Sequence, residues 1–343
     1  MKYLCVFGNP ISHSLSPLIH NYALCSLELP FVYGRFCLQN GENLKEKFYS
    51  LNLSGANVTI PFKEYAFKQA DELDNLAQKI GAVNTIVKMK NGKLKGYNTD
   101  ASGFVASLTN TMLDFRHKII NPTPFKSALV LGAGGSAKAV ACILDEIGLE
   151  VLVANRSSQK RGFYDARGIK YCVFSELETM LKSSAKSSIN THFDLVINAT
   201  SASLQGNLPL QKEMLQDIFS RAKFAYDLMY GENLTPFLAL AKKCNLTYKD
   251  GKDMLLWQAA EALAIFISQD FASKDLRNKA SKNAKEDFTK QGDFTKCEDF
   301  ATQEILAKQS DFSKNIATDF QHDKSKTITH IYSLMLQAIR DKH

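Results

Sequence analysis

The chain has 343 residues, 45% of them hydrophobic and 22% charged, with a formal net charge of +7. That length accommodates two ordinary domains with cores of their own, and the composition excludes a disordered or membrane-embedded chain. The positive charge is mild and forms no dense Lys/Arg stripe, which argues against nucleic acid and suits an anionic small molecule.

The N-terminus, "MKYLCVFGNP", is a short apolar run closed by turn residues and reads as a first strand, not a leader peptide. Short apolar runs then alternate with helical patterns through "SPLIHNYALCSLEL", "FVYGRFCL", "NLKEKFYSL" and "GANVTI", an order that predicts an α/β layer with a mainly parallel sheet. After Val58, Thr59, Ile60 and Pro61 comes Lys63, at the head of an expected helix "KEYAFKQADELDNLA". Lys63 is either the first solvated charge of that helix or an amine delivered into a cleft by the strand end. "AVNTIVKMKNGKLKGYNTD" reads as a hairpin turning at Asn91-Gly92. The helix "ASGFVASLTNTMLDF" leads away from it, and the two prolines of "NPTPFK" mark a domain boundary.

From Ser127 a second alternating series begins, with Val- and Leu-rich runs suited to strands covered on both faces. The chain turns helical after Asp250. Lys138 and Glu261 interrupt the longest apolar stretches, so no membrane span is expected. Past Ser268 the composition changes: "DFASKDL", "DFTKQG", "DFTKCE", "DFATQE", "DFSKNI" and "DFQHDK" echo one another at irregular spacing, with few apolar residues. Weak amphipathic helices (Leu276, Ala280, Ala284, Phe288; Phe312, Ile316, Phe320) or partial disorder are expected there. A helical apolar face returns with Ile328, Ile331, Tyr332, Met335 and Ile339. Seven cysteines without a C-x-x-C pair favour reduced thiols, a cytoplasmic location and no metal site.

"LVLGAGGSAKAV" places Gly132, Gly134 and Ala137 as G-x-G-x-x-A between a strand and a helix. The first glycine allows the tight turn, the second lets backbone N–H groups approach a pyrophosphate, and the small third residue lets the helix pack close. The next strand ends in "VANRSSQKR", where Asn155, Arg156, Ser157 and Lys160 replace the carboxylate that would hold a ribose 2′-hydroxyl. A guanidinium and a hydroxyl suit a 2′-phosphate, hence NADP; the other reading is a solvated basic turn. In the first half, strand ends offer Ser14, Ser16, Asn57, Thr59, Lys63, Asn84, Asn98, Thr99 and Asp100, an inventory for a small polyhydroxylated acid.

The motifs "GNPISHSLSPLIHN", "GANVTIPFKE", "GAVNTI", "GYNTDASGF", "GAGGSAKA", "NRS", "NATS", "YDLMY" and "GKDMLLWQAAEA" occur in one order from about Lys2 to Phe266, and together they resemble the shikimate dehydrogenase family. The resemblance implies two α/β domains, a substrate domain and a Rossmann-type NADP domain, with a helical C-terminal extension. Residues 1–100 would form the substrate domain, completed by 251–267 and the terminal helix 327–343. Residues 101–250 would bind NADP, and 268–326 would be an insertion with no counterpart in the family's usual tail. The implied activity is the NADPH-dependent, reversible reduction of 3-dehydroshikimate to shikimate in chorismate and aromatic amino-acid biosynthesis.

The resemblance further implies that Ser14 and Ser16 hold the substrate carboxylate, and that Asn57, Asn84, Asp100 and Gln258 hold the ring hydroxyls, with Thr59 and Tyr230 completing the pocket. Lys63 and Asp100 would be the catalytic pair, Lys63 acting as proton donor or as electrostatic stabiliser. Gly132, Ala133, Gly134, Gly135, Ser136 and Ala137 would hold NADP, together with Asn155, Arg156, Ser157, Lys160, Thr200, Leu228 and Gly251. Quinate activity with relaxed cofactor use, or a non-catalytic nucleotide-sensing relative, are the alternatives, and a homodimer stays open. His13 reads as loop support, His20 and Asn21 as packing and capping residues, Cys5 and Cys142 as core, and Trp257 as packing. The sequence departs from the family pattern at "YGEN" after the tyrosine and at Ser203, where the family places glycine.

Overall fold

The computed structural model describes residues 1–110, 123–184, 192–271 and 324–341, and two six-stranded sheets organise them. The first is built from β1 (Lys2–Gly8), α1 (Ser16–Ser26), β2 (Phe31–Cys37), α2 (Leu44–Ser50), β3 (Leu53–Val58), α3 (Lys63–Gln69), β4 (Glu72–Leu73), α4 (Asn75–Ile80), β5 (Thr85–Lys88), β6 (Leu94–Tyr97) and α5 (Asp100–Thr109). Its strand order is β2-β1-β3-β5-β6-β4. β1 runs parallel to β2 and β3, whereas β5 is antiparallel to both β3 and β6. The two-residue period of β1 sends Leu4 and Val6 into one core and Cys5 and Phe7 into another, so this strand is covered on both faces.

The hairpin turns where Asn91-Gly92 predicts it, with Gly92 at φ +82° and the Asn91 side chain accepting from Lys93 N. The expected single helix after Lys63 is two helices. α3 stops before Ala70, which is extended, β4 pairs with β6, and Asp74 then caps α4 by accepting from Ala77 N at 2.8 Å. Asp71 makes the break worthwhile by accepting from Leu94 N at 2.8 Å. Asn21 lies within α1, not at its end, and its amide pairs with both backbone groups of Tyr33, tying α1 to β2 where a cap was expected.

The second sheet comprises β7 (Ser127–Leu131), α6 (Gly135–Glu146), β8 (Glu150–Asn155), α7 (Arg161–Asp165), β9 (Lys170–Val173), α8 (Phe174–Ser184), β10 (Leu195–Asn198), α9 (Lys212–Ser220), β11 (Phe224–Asp227), α10 (Pro236–Lys243) and β12 (Thr247–Lys249). All its pairings are parallel and the order is β12-β11-β10-β7-β8-β9. The order reverses between β7 and β10, and a doubly wound sheet opens its ligand crevice at that point.

After β12 the chain enters α11 (Lys252–Phe271), which packs back on α5 and the first sheet. The terminal helix α12 (Lys324–Arg340) lies on α1 and α11. Ile328, Ile331 and Met335 are buried and Tyr332 is partly so, on the face that the sequence periodicity marks. Trp257 packs as expected, stacked on Tyr332 with ring centroids 3.9 Å apart. Cys5 is buried and Cys142 half-buried. The faces expected around Leu276–Phe288 and Phe312–Phe320 lie outside the described residues. Among those described, no helix is long and apolar enough to cross a membrane.

Candidate active site

Lys63 opens α3 just beyond the end of β3, and Asp100 opens α5 just beyond β6. Both side chains are buried and form an ion pair in which Lys63 Nζ donates to Asp100 Oδ2. A carboxylate in the first turn of a helix is also favoured by the helix dipole. Asp100 Oδ1 accepts from Asn84 Nδ2 at 2.8 Å, while Asn84 Oδ1 accepts from the Thr99 backbone at 2.8 Å. Asn84 therefore has one orientation, and the carboxylate beside it is fixed as well. Lys63 Nζ donates in addition to Ser136 Oγ at 2.9 Å, across to the first turn of α6, which follows the glycine-rich loop of the second sheet.

All nine residues expected at the substrate line one cleft: Ser14, Ser16, Asn57, Thr59, Lys63, Asn84, Asp100, Tyr230 and Gln258. Asn57 is held by the Tyr33 hydroxyl, which donates to its Oδ1 at 2.7 Å, and by its own donation to Thr85 Oγ1 at 3.0 Å. Gln258 Oε1 accepts from Asn84 Nδ2 at 3.2 Å, bringing α11 into the same network. Burial, with a smaller contribution from the Asp250 charge, pushes the Tyr230 phenol up to about 12, so it remains a donor at neutral pH. "YGEN" thus leaves the tyrosine in the cleft. His13 lines the cleft too, a place its reading as loop support did not anticipate.

Of the expected cofactor residues, Ser136, Leu228 and Gly251 also line this cleft and join it to the second sheet. A Cβ on Gly251 would lie 2.1 Å from the Leu228 carbonyl oxygen, so only glycine permits that approach. Gly132 has φ +108° and faces Ala199 O, which accounts for it on backbone grounds. Gly134 is different: its φ is −75°, and a Cβ there would meet nothing within 4 Å. Neither strain nor protein packing asks for glycine at this position, and the space lies at the N-terminus of α6. That open cradle fits a pyrophosphate approaching backbone N–H groups. Gly135 instead packs against Lys63, whose Cβ would be 3.0 Å from an added Cβ.

Asn155, Arg156, Ser157, Lys160 and Thr200 lie outside the substrate cleft. Arg156 is exposed at the end of β8. Ser157 carries the Tyr171 hydroxyl on its carbonyl oxygen at 2.5 Å, and Thr200 Oγ1 donates to Asn198 Oδ1 at 2.7 Å. Ser203 gains a role in place of the family's glycine, donating to Asp227 Oδ2 at 2.6 Å. Lys160 is ion-paired with Glu64, at 2.8 Å. Sequence reading missed Tyr33 and Thr85, which orient Asn57, and it missed Glu64; only the adjacency of Glu64 to Lys63 could have signalled it.

Fold and cleft together define the class: an oxidoreductase of two α/β units, one doubly wound for a dinucleotide and the other presenting a buried lysine–carboxylate pair. Residues 6–86 match the model of the shikimate dehydrogenase substrate binding domain. The chain is 42% identical over 277 residues to the shikimate dehydrogenase (NADP(+)) of Helicobacter hepaticus, an alignment covering 80% of this chain and 95% of that one. It is 48% identical over 264 residues to the enzyme of the same name from Helicobacter pylori, with coverages of 76% and 90%. The crystal structure of shikimate 5-dehydrogenase from Thermus thermophilus in complex with NADP(H) and shikimate superposes with a TM-score of 0.62 at 33% identity, over 78% of this chain and 93% of that one. The chain belongs to the shikimate dehydrogenase family.

Proposed function

We infer that the protein catalyses the reversible, NADPH-dependent reduction of 3-dehydroshikimate to shikimate, a step of aromatic amino-acid biosynthesis. The observation that carries this reading is the position of Lys63 Nζ, bonded on one side to Asp100 and on the other to Ser136 in the first turn of α6. An ammonium at that junction would lie between a substrate held by the first unit and a nicotinamide held by the second.

NADPH, when bound, supplies the hydride. Lys63 donates a proton or a strong hydrogen bond to the oxygen that becomes alkoxide, and Asp100 keeps the ammonium aimed. Ser14 and Ser16 take the substrate carboxylate, while Asn57, Asn84, Gln258, Thr59 and Tyr230 take the ring hydroxyls. Gly132 to Ala137 with Thr200, Leu228 and Gly251 hold the dinucleotide, and Asn155, Arg156, Ser157 and Lys160 read its 2′-phosphate. In this reading residues 1–100, 251–267 and 327–343 form the substrate unit, and 101–250 the cofactor unit. A purely nucleotide-sensing protein would have no use for the buried pair.

The six cysteines among the described residues are free thiols, which supports a reducing, cytoplasmic setting. Sedimentation of the purified protein would decide whether it forms a homodimer. The activity is tested by mixing purified protein with NADPH and 3-dehydroshikimate and following nicotinamide absorbance and shikimate formation. Stoichiometric conversion is expected. No conversion of 3-dehydroshikimate, with NADP+-dependent oxidation of quinate in a parallel assay, would reject the assignment.

A further inference from the structure

One carboxylate serves two lysines between the two sheets. Glu64, the second residue of α3, accepts from Lys160 Nζ at 2.8 Å on Oε2 and pairs with Lys138 Nζ at 2.9 Å on Oε1. The two lysines are not equivalent. The Lys138 side chain is 8% exposed and its ammonium sits 4.3 Å from the centre of the Phe163 ring, so it is a fixed, buried charge that needs its carboxylate. The Lys160 side chain is 38% exposed and can swing into solvent. Burial raises the Glu64 carboxyl, but the bonds and charges of Lys160 and Lys138 outweigh it and hold the group below its usual range, ionised at neutral pH.

We propose that Glu64 is a specificity-determining residue that sequesters Lys160 from the cofactor and so sets the affinity for NADP independently of that for NAD. The proposal rests on the reading of Lys160 as a contact of the 2′-phosphate. A phosphate arriving near Lys160 competes with Glu64 for the same ammonium, and the apparent affinity falls by the fraction of Lys160 that is engaged. NAD, with a hydroxyl at that position, makes no such demand and is indifferent to the ion pair.

The test is the dissociation constant of NADP+ and of NAD+, by calorimetric titration, for the full-length wild type and four variants: Glu64→Gln, Glu64→Gln/Lys138→Met, Lys160→Met and Glu64→Gln/Lys160→Met. The Lys138→Met partner removes the buried ammonium that Glu64→Gln would strand and restores the overall charge balance. Glu64→Gln and Glu64→Gln/Lys138→Met are expected to bind NADP+ about two- to five-fold tighter, the worth of a partly exposed ion pair, with NAD+ unchanged. The gain should shrink at high salt and vanish when Lys160 is Met. Weakened NADP+ binding in Lys160→Met without any gain in the two Glu64 variants would overturn the role of Glu64 while leaving the 2′-phosphate reading of Lys160 intact. Unchanged NADP+ binding in Lys160→Met together with no gain in either Glu64 variant would overturn both. An equal gain for NAD+ and NADP+, or a gain that survives Lys160→Met, would show that Glu64 acts on the loop and not on the lysine.

Discussion

Gly103 of α5 approaches Gln258 of α11 so closely that a Cβ on Gly103 would lie 2.7 Å from the Gln258 backbone nitrogen. The helix carrying Gln258 reaches the cleft because α5 offers no side chain at the crossing. Gly103→Ala should therefore push α11 outward, at a cost of about 1–3 kcal/mol for an overfilled contact. Gln258 would lose its bond from Asn84, and KM for shikimate should rise several-fold with a lower midpoint in urea. Wild-type stability and KM in this variant would show that the helices have slack at the crossing.

His20 gives the fold a pH dependence. It is fully buried, bonded through Nδ1 to the Ser16 carbonyl oxygen at 2.9 Å and stacked on Tyr33 at 4.0 Å. Burial lowers its imidazole to about 4, whereas the unfolded chain takes up the proton near its ordinary value of 6.5. Above the unfolded value both states are neutral and nothing is lost. As the pH falls from there to the folded value, the unfolded state alone gains a proton and stability declines, by roughly 3 kcal/mol in all. Urea unfolding across that window should show a steeper loss for wild type than for His20→Gln. Parallel curves would mean that the ring takes up its proton as readily in the folded as in the unfolded chain.

Arg156 stands exposed at the end of β8, where a 2′-phosphate is expected to lie. Arg156→Gln should weaken NADP+ binding by about 1.5–3 kcal/mol, the worth of a charge-assisted hydrogen bond, and leave NAD+ nearly unchanged. Titration of both nucleotides distinguishes this from loss of loop structure, which would weaken the two equally.

The site was far more legible in the sequence than the contacts that assemble it. Ser136, Asn57 and Lys63 belong to short motifs whose meaning is local: a glycine-rich turn into a helix, a strand end, the head of a helix. Their convergence on one cleft follows from the strand order. Glu64 meeting Lys138 and Lys160, or Gly103 meeting Gln258, depends on surfaces brought together from distant stretches, and no periodicity in one chain encodes such a meeting. The break between α3 and α4 escaped for a related reason. Its residues are good helix formers locally, and the pairing of β4 with β6 and the bond from Leu94 N to Asp71 override that tendency.

We propose that the segment 268–326, largely outside the described residues, is dispensable for the chemistry, since none of its residues falls in a motif shared with the family. α12 beyond it is anchored on α1 and α11 through Ile328, Ile331 and Met335. Replacing residues 272–323 by a flexible Gly/Ser linker should leave kcat and both Michaelis constants within a few-fold. A folded variant without activity would place this segment in the cleft.

The chemistry itself turns on Lys63, and the most direct test is the turnover of NADPH with 3-dehydroshikimate by Lys63→Met, alongside shikimate binding to the same variant. Loss of a positioned proton donor should lower kcat by roughly 10²–10⁴, with the shikimate dissociation constant shifted only a few-fold. Near-normal turnover in Lys63→Met would contradict the assignment and leave the buried pair with Asp100 a structural one.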